Sequence, residues 1–333
     1  MTMELLDNGS TNAGGDGDVP RVIHQELLAS DRRYQRITRG AGSLSLFLMG
    51  AIGLFLLVKS WDAISVGGTK LITDGAWAPM APQKQLGVGS LLFGTILVAL
   101  VGLIIAVPVS IGAALFLTEI VPRRAKTLFV SLVDLLAAVP SLLFGLWGVY
   151  FLAPRVIGLS SFLNKHLNWV PFFGGKQTQF EASIFIAGLI ISLMVIPICT
   201  SIMREVFAQA PPAEREAALA LGGTRWGMIR TVVLPFGRGG IIGGTMLGLG
   251  RALGETIAVA LILGNVSPAT WRILGAGGST VSSAIALTFP DSDEFGISAL
   301  MAAGVALFIL TLVVNLFASA IVSRSRSGQG VEL

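Results

Sequence analysis

Glu216-Ala217-Ala218-Leu219-Ala220-Leu221-Gly222, followed by Val232-Val233-Leu234-Pro235, reads as two short helices around a glycine stop. Pro211-Pro212 can open the first, because proline in the first turn gives up only a donor that has no intrahelical partner. Ala213 to Leu221 is built almost wholly from strong helix formers, and Gly222 or Gly223 can take the left-handed conformation that closes a helix. Thr224 then has the position and chemistry of an N-cap for a second helix through Trp226, Ile229 and Val233. A soluble DNA reader of the helix-turn-helix kind has the same outline, so the outline alone does not choose. The flanks choose, because a long apolar segment lies on each side of this loop.

Apolar residues make up 53% of the chain and charged ones 13%, with a mean hydropathy of +0.78. That balance is far from a soluble domain's. Six segments, near 41–58, 88–118, 128–153, 182–203, 239–263 and 296–322, are long enough to cross a hydrocarbon core, which takes about 20 helical residues. Pro108 is expected to kink or interrupt the second. The expected fold is all-α, a polytopic membrane helical bundle of about six transmembrane helices with one short helix on the cytoplasmic loop. The chain divides into a cytoplasmic tail with a possible interfacial helix (1–40), a first span with its external loop (41–84), a main transmembrane domain (85–322) containing the loop 204–235, and a C-terminal tail (323–333).

Charge predicts the orientation. Arg21, Arg32, Arg33, Arg36 and Arg39 precede the first span, and Arg123, Arg124 and Lys126 separate the second from the third. Arg204, Arg215, Arg225, Arg230 and Arg238 surround the loop, and Arg324 and Arg326 follow the last span. The opposite side collects Lys59, Lys70, Lys84, Arg155, Lys165, Lys176 and Arg272. Positive residues favour the inside, so both termini and the 204–235 loop are expected in the cytoplasm of a bacterial cell, with 154–181 and 264–295 outside. The basic pI reflects these membrane-flanking arginines, and no nucleic-acid partner is expected.

The first twenty residues have no apolar core and read as a disordered tail, not a cleavable signal. Residues 21–39 mix Val22, Ile23, Leu27 and Leu28 with arginines, which suits either a helix lying on membrane lipid or a solvated linker. Cys199 is the one cysteine, so no intrachain disulfide can form. His24 and His166 fall on opposite faces of the membrane, and neither a metal site nor a cofactor is expected. The chain has no GxxxxGK[ST] phosphate loop and no GxSxG, HExxH or cysteine-pair motif, so ATP hydrolysis would have to come from another subunit.

The fifth span carries a second signal, Arg238-Gly239-Gly240-Ile241-Ile242-Gly243-Gly244-Thr245-Met246-Leu247-Gly248-Leu249-Gly250-Arg251-Ala252-Leu253-Gly254-Glu255-Thr256. Glycines recurring every fourth residue let helix backbones approach closely, and close packing is the expectation for them. Arg251 and Glu255 are spaced one helical turn apart, near mid-span. An arginine near the bilayer centre costs about 2.5–3.5 kcal/mol on insertion scales, so both should face the bundle interior or a water-filled path. Two readings stay open: a buried ion pair that holds helices in register, or an anion-handling site in which Arg251 offers its planar fork of donors.

Here the resemblance becomes specific. REAALALGGTRW (215–226), TVVLP (231–235), GGIIGGTMLGLGRALGET (239–256), LILGN (261–265) and LLAAVPSLLFGLWG (135–148) resemble the phosphate-specific permeases of binding-protein-dependent ABC importers, in particular their PstC subunits. The likeness covers most of 85–322 and none of the tail before residue 40. It implies a heterodimer with a PstA-like permease, a PstB-like ATPase dimer, an external phosphate-binding protein, and phosphate as the substrate carried inward. It also implies that Glu216, Ala217, Ala218, Gly222, Leu234 and Pro235 belong to the ATPase-coupling element, and that Arg251, Glu255 and Thr256 belong to the substrate pathway. A permease for another oxyanion such as sulfate or molybdate would share everything but GRALGET, and an ion-coupled secondary transporter would need no ATPase.

Overall fold

A computed structural model describes residues 29–175, 179–264 and 270–325. Most of the expected N-terminal tail, with His24, lies outside them, as do Lys176, Asn265 and the last eight residues of the C-terminal tail. The described chain divides between Ala51 and Ile52 into two units.

The first helix, α1, runs from Ala29 to Lys59. No proline interrupts it, so the boundary expected near residue 40 is not a break in the helix. The second unit continues with α2 (Trp61–Gly67), α3 (Lys70–Thr73) and a small antiparallel hairpin, β1 (Trp77–Ala78) and β2 (Gln85–Leu86), paired Trp77 to Leu86. Then come α4 (Val88–Leu115), α5 (Arg123–Ala138), α6 (Ser141–Trp147), α7 (Ala153–His166) and α8 (Ile184–Ala208). The loop and the last spans hold α9 (Pro212–Ala220), α10 (Arg225–Met228), α11 (Leu234–Phe236), α12 (Arg238–Leu253), α13 (Ile257–Leu263), α14 (Val281–Thr288) and α15 (Glu294–Ser325). Five helical stretches are long and apolar enough to cross a membrane, or six if the pair 225–236 and 238–254, bent by 65°, makes one span. The all-α bundle and the span number are as expected.

Three boundaries differ. The expected third span, 128–153, is cut at Val139-Pro140, both in extended conformation. A proline pushes the residue before it out of the helical region, and hydropathy does not register that. The crossing stretch is Ser141–His166, and α5 before it buries no residue. Residues 154–166, expected in an outer loop, therefore belong to helix, as does α14 in the other expected outer loop. Pro108 lies inside an unbroken α4 and does not interrupt it. Finally, the fifth span is interrupted, with α12 ending at Leu253 and α13 starting at Ile257.

The core of the second unit is α4 packed along α8, with α12 laid against both. The glycines decide how near α12 comes. A methyl built on Gly240 would fall 2.5 Å from Val206 Cβ, and one on Gly248 would fall 2.6 Å from Val195 and 2.7 Å from Cys199 Sγ. These helices therefore touch backbone to side chain, as small-residue stripes allow. Cys199 completes the contact by donating to the Gly244 carbonyl at 3.1 Å.

The two ends of this unit are distinct. At one end a cluster of Trp77, Leu86, Leu91, Val281, Ala299 and Leu300 ties the hairpin to α4, α14 and α15. The two long connections before α8 and after α13 are bonded to each other: Ile273 N–H donates to Phe172, Ala276 to Gln179 and Phe185 to Ile273. At the opposite end, α4 continues as a π turn, Phe116–Ile120, beside the C-terminus of α8 and the loop that follows it. Two further π turns occur among the described residues, at Gly148–Leu152 and Ile229–Val233.

Candidate functional site

The loop folds as its sequence dictates. Pro211 precedes α9, and the helix closes on Gly222, whose φ is +82°. Gly223 N–H donates to Ala218 and Gly222 N–H to Leu219, the paired bonds of a Schellman ending. Thr224 caps the next helix, its hydroxyl accepting from Gly227 N–H at 3.1 Å. The second helix expected through Trp226, Ile229 and Val233 is not a plain α-helix. Instead α10 passes through the π turn Ile229–Val233 into α11, with Leu234 N–H donating to Ile229. Pro235 then has no N–H to give, and Gly237 starts the bend into α12.

The outer face of this loop is open. Glu216, Ala217 and Gly222 are exposed, Ala218 is half-buried, and Leu221 stands 89% exposed with Trp226 at 62%. Leu234 and Pro235 instead lie at the root of the loop, Leu234 packed against the core. The sequence-predicted residues thus fall at the tip and at the root of the loop, and each part packs one residue on the core, Ala218 and Leu234, while Glu216, Ala217, Gly222 and Pro235 are exposed.

A second arrangement sits where α12 stops. Gly254 ends the helix, and Thr256 Oγ1 donates back to the Gly254 carbonyl at 3.2 Å. Glu255 falls in the gap with only 9% of its surface exposed. Its Oε1 accepts from Ala258 N–H at 3.4 Å, which sets a negative group at the start of α13. Arg251 is exposed, and among the described residues its guanidinium makes neither an ion pair nor a hydrogen bond. The expected helical register of Arg251 and Glu255 is therefore broken at Gly254, and the two do not form the buried ion pair that was one of the two readings.

Arg251, Glu255 and Gly254 instead line an open groove of about 880 Å³. Gly243 and Gly250 line it too, and a methyl built on either would meet nothing within 4 Å. The glycines of α12 thus do two things: Gly240, Gly244 and Gly248 pack on α8, while Gly243 and Gly250 keep the groove wide. The far wall brings in Asn315 and Ser319 of α15, which sequence reasoning missed. Asn315 carried a usable signal, an amide in the last third of an otherwise largely apolar span. Glu119, which pairs with Arg215 at 2.8 Å, was also missed.

Comparison with known proteins places this geometry. Residues 106–327 match the family described as binding-protein-dependent transport system inner membrane component. The phosphate transport system permease protein PstC 2 of Mycobacterium tuberculosis is 42% identical over 304 residues, covering 90% of this chain and 93% of that protein. The phosphate transport system permease protein PstC of Xylella fastidiosa is 36% identical over 336 residues, covering 99% of this chain and 100% of that one. A solved bacterial ABC transporter involved in the import of the acidic polysaccharide alginate shares the fold, with a TM-score of 0.52 at 18% identity over 88% of this chain and 99% of that chain. With a family match over two thirds of its length and relatives aligned nearly end to end, the chain belongs to the binding-protein-dependent transport system inner membrane component family, among the PstC permease proteins.

Proposed function

We propose that this chain is one permease half of an ATP-driven importer that carries inorganic phosphate into the cell. The observation that carries the reading is the free guanidinium of Arg251, facing an open groove beside a helix interruption. An arginine in the middle of a span is costly, and one left without a carboxylate partner has its donors free for an oxyanion. Glu255, held on the N-terminus of α13, keeps the groove's net charge low, so that an anion is passed on and not trapped. Thr256, which does not itself line the groove, shapes the turn from α12 into α13. The GRALGET segment and the relatives' names supply the anion's identity.

The energy comes from outside the chain. A PstB-like ATPase dimer docks on the exposed tip formed by Glu216, Ala217 and Gly222, with Ala218 packed behind it, while Leu234 and Pro235 pass its motion into α12. A PstA-like permease closes the open side of the groove, and an external binding protein delivers phosphate at the end where the hairpin and α14 lie. Both termini and the 204–235 loop are cytoplasmic in this reading. The charge asymmetry supports it, as does the mutual bonding of the two connections assigned to the outer side.

Uptake of radiolabelled phosphate by cells expressing the chain with its partner subunits tests the substrate. Excess sulfate or molybdate is expected to leave uptake unchanged. Equal competition by sulfate would make this a permease for another oxyanion.

A further inference from the structure

Arg215 stands one residue before the exposed Glu216, yet its side chain turns inward. Nη1 donates to Glu119 Oε1 at 2.8 Å, and Nη2 donates to the carbonyl of Phe207. The Glu119 side chain is 8% exposed and belongs to the π turn that ends the second span. Phe207 is fully buried in the last turn of α8, where a cation also meets the negative end of the helix dipole. One guanidinium therefore joins the loop helix α9 to the inner ends of two membrane-crossing helices. Among the described residues this is the one ion pair.

Two features argue that the joint transmits motion and does not merely brace the loop. The planar fork reaches acceptors in two different elements at once, which a lysine's single ammonium does less well. Glu119 itself sits in a π turn, and a second π turn, Ile229–Val233 in the loop's other helix, lies against α9. Single π turns are frequent where a helix serves a function. We propose that the Arg215–Glu119 pair is the tie that carries displacement of α9 into the spans Val88–Ile120 and Ile184–Ala208, with Arg215 a positioning residue that touches neither phosphate nor nucleotide. This rests on the reading that an ATPase docks on the loop.

The test uses the complete complex in proteoliposomes and reads phosphate taken up per ATP hydrolysed. Arg215→Met with Glu119→Leu removes the tie without stranding a buried charge, and Glu119→Gln keeps the shape and one acceptor. Both variants are expected to assemble and to hydrolyse ATP, with uptake per ATP falling roughly 10-fold in the double variant, within the range usual for coupling between two sites. A smaller fall is expected in Glu119→Gln. A wild-type ratio in the assembled double variant overturns the tie. So does a double variant that fails to assemble while Glu119→Gln keeps the wild-type ratio, since the pair is then a brace. Failure of the ATPase to associate with the unaltered permease overturns the docking reading instead.

Discussion

Gly248 and Gly250 are two residues apart on one helix and face opposite demands. Gly248 lies against Val195 and Cys199, so Gly248→Val should force α12 off α8 and lower the yield of folded permease, overpacking costing about 1–3 kcal/mol. Gly250→Ala meets open space and should fold normally, which thermal unfolding of the two purified variants in detergent compares directly. Arg251 belongs to the same scale. Because it forms no ion pair here, replacing it strands no paired carboxylate, and Arg251→Lys should assemble normally. It should nevertheless lose phosphate uptake by about 10-fold or more, equivalent to roughly 1.4 kcal/mol, since lysine lacks the planar fork. The joint replacement of Arg251 and Glu255 by apolar residues should likewise assemble and stay inactive, and full uptake by that variant would falsify the anion-handling role. The residue types were legible in the sequence, because charge in an apolar span stands out. Their geometry was not, because Gly254 can continue a helix or end one, and only the packing of α13 decides.

Element by element, what depends on neighbours a few residues away was readable and what depends on distant contacts was not. The start of α9 at the prolines, its left-handed ending at Gly222 and the cap at Thr224 follow from local stereochemistry. The π turns left no such mark, and neither did the reach of Arg215 to Glu119 across 96 positions. The split of the expected third span was visible in Val139-Pro140, but the apolar run on both sides outweighed it. Gly222→Val tests the loop as an element. A β-branched residue is disfavoured at a φ of +82°, by about 1–2 kcal/mol, so the end of α9 should be re-aimed. The variant should reach the membrane in normal amount, and its complex should hydrolyse ATP without importing phosphate. Glu216→Lys should instead weaken retention of the ATPase during purification, through a reversed charge on the exposed tip. Normal import by both variants would count against the docking role.

At the scale of the whole molecule, class could be read from composition and span number from the lengths of the apolar runs, because the hydrocarbon core sets a minimum length that few soluble helices meet. The orientation proposed from the arginines has a direct check. With Cys199 replaced by alanine, Thr224→Cys should resist an impermeant thiol reagent in intact cells, while Trp169→Cys, at a position 79% exposed on the opposite connection, should react. Labelling at residue 224 from outside would invert the topology. The central claim is that this chain is a channel half with no energy source of its own. It is tested most directly by measuring phosphate accumulation in proteoliposomes holding the permease pair with and without the ATPase, in the presence of the external binding protein. Accumulation is expected only when the ATPase is present and ATP is supplied on the side of the 204–235 loop. Accumulation by the permease alone, driven by an ion gradient, would contradict the account.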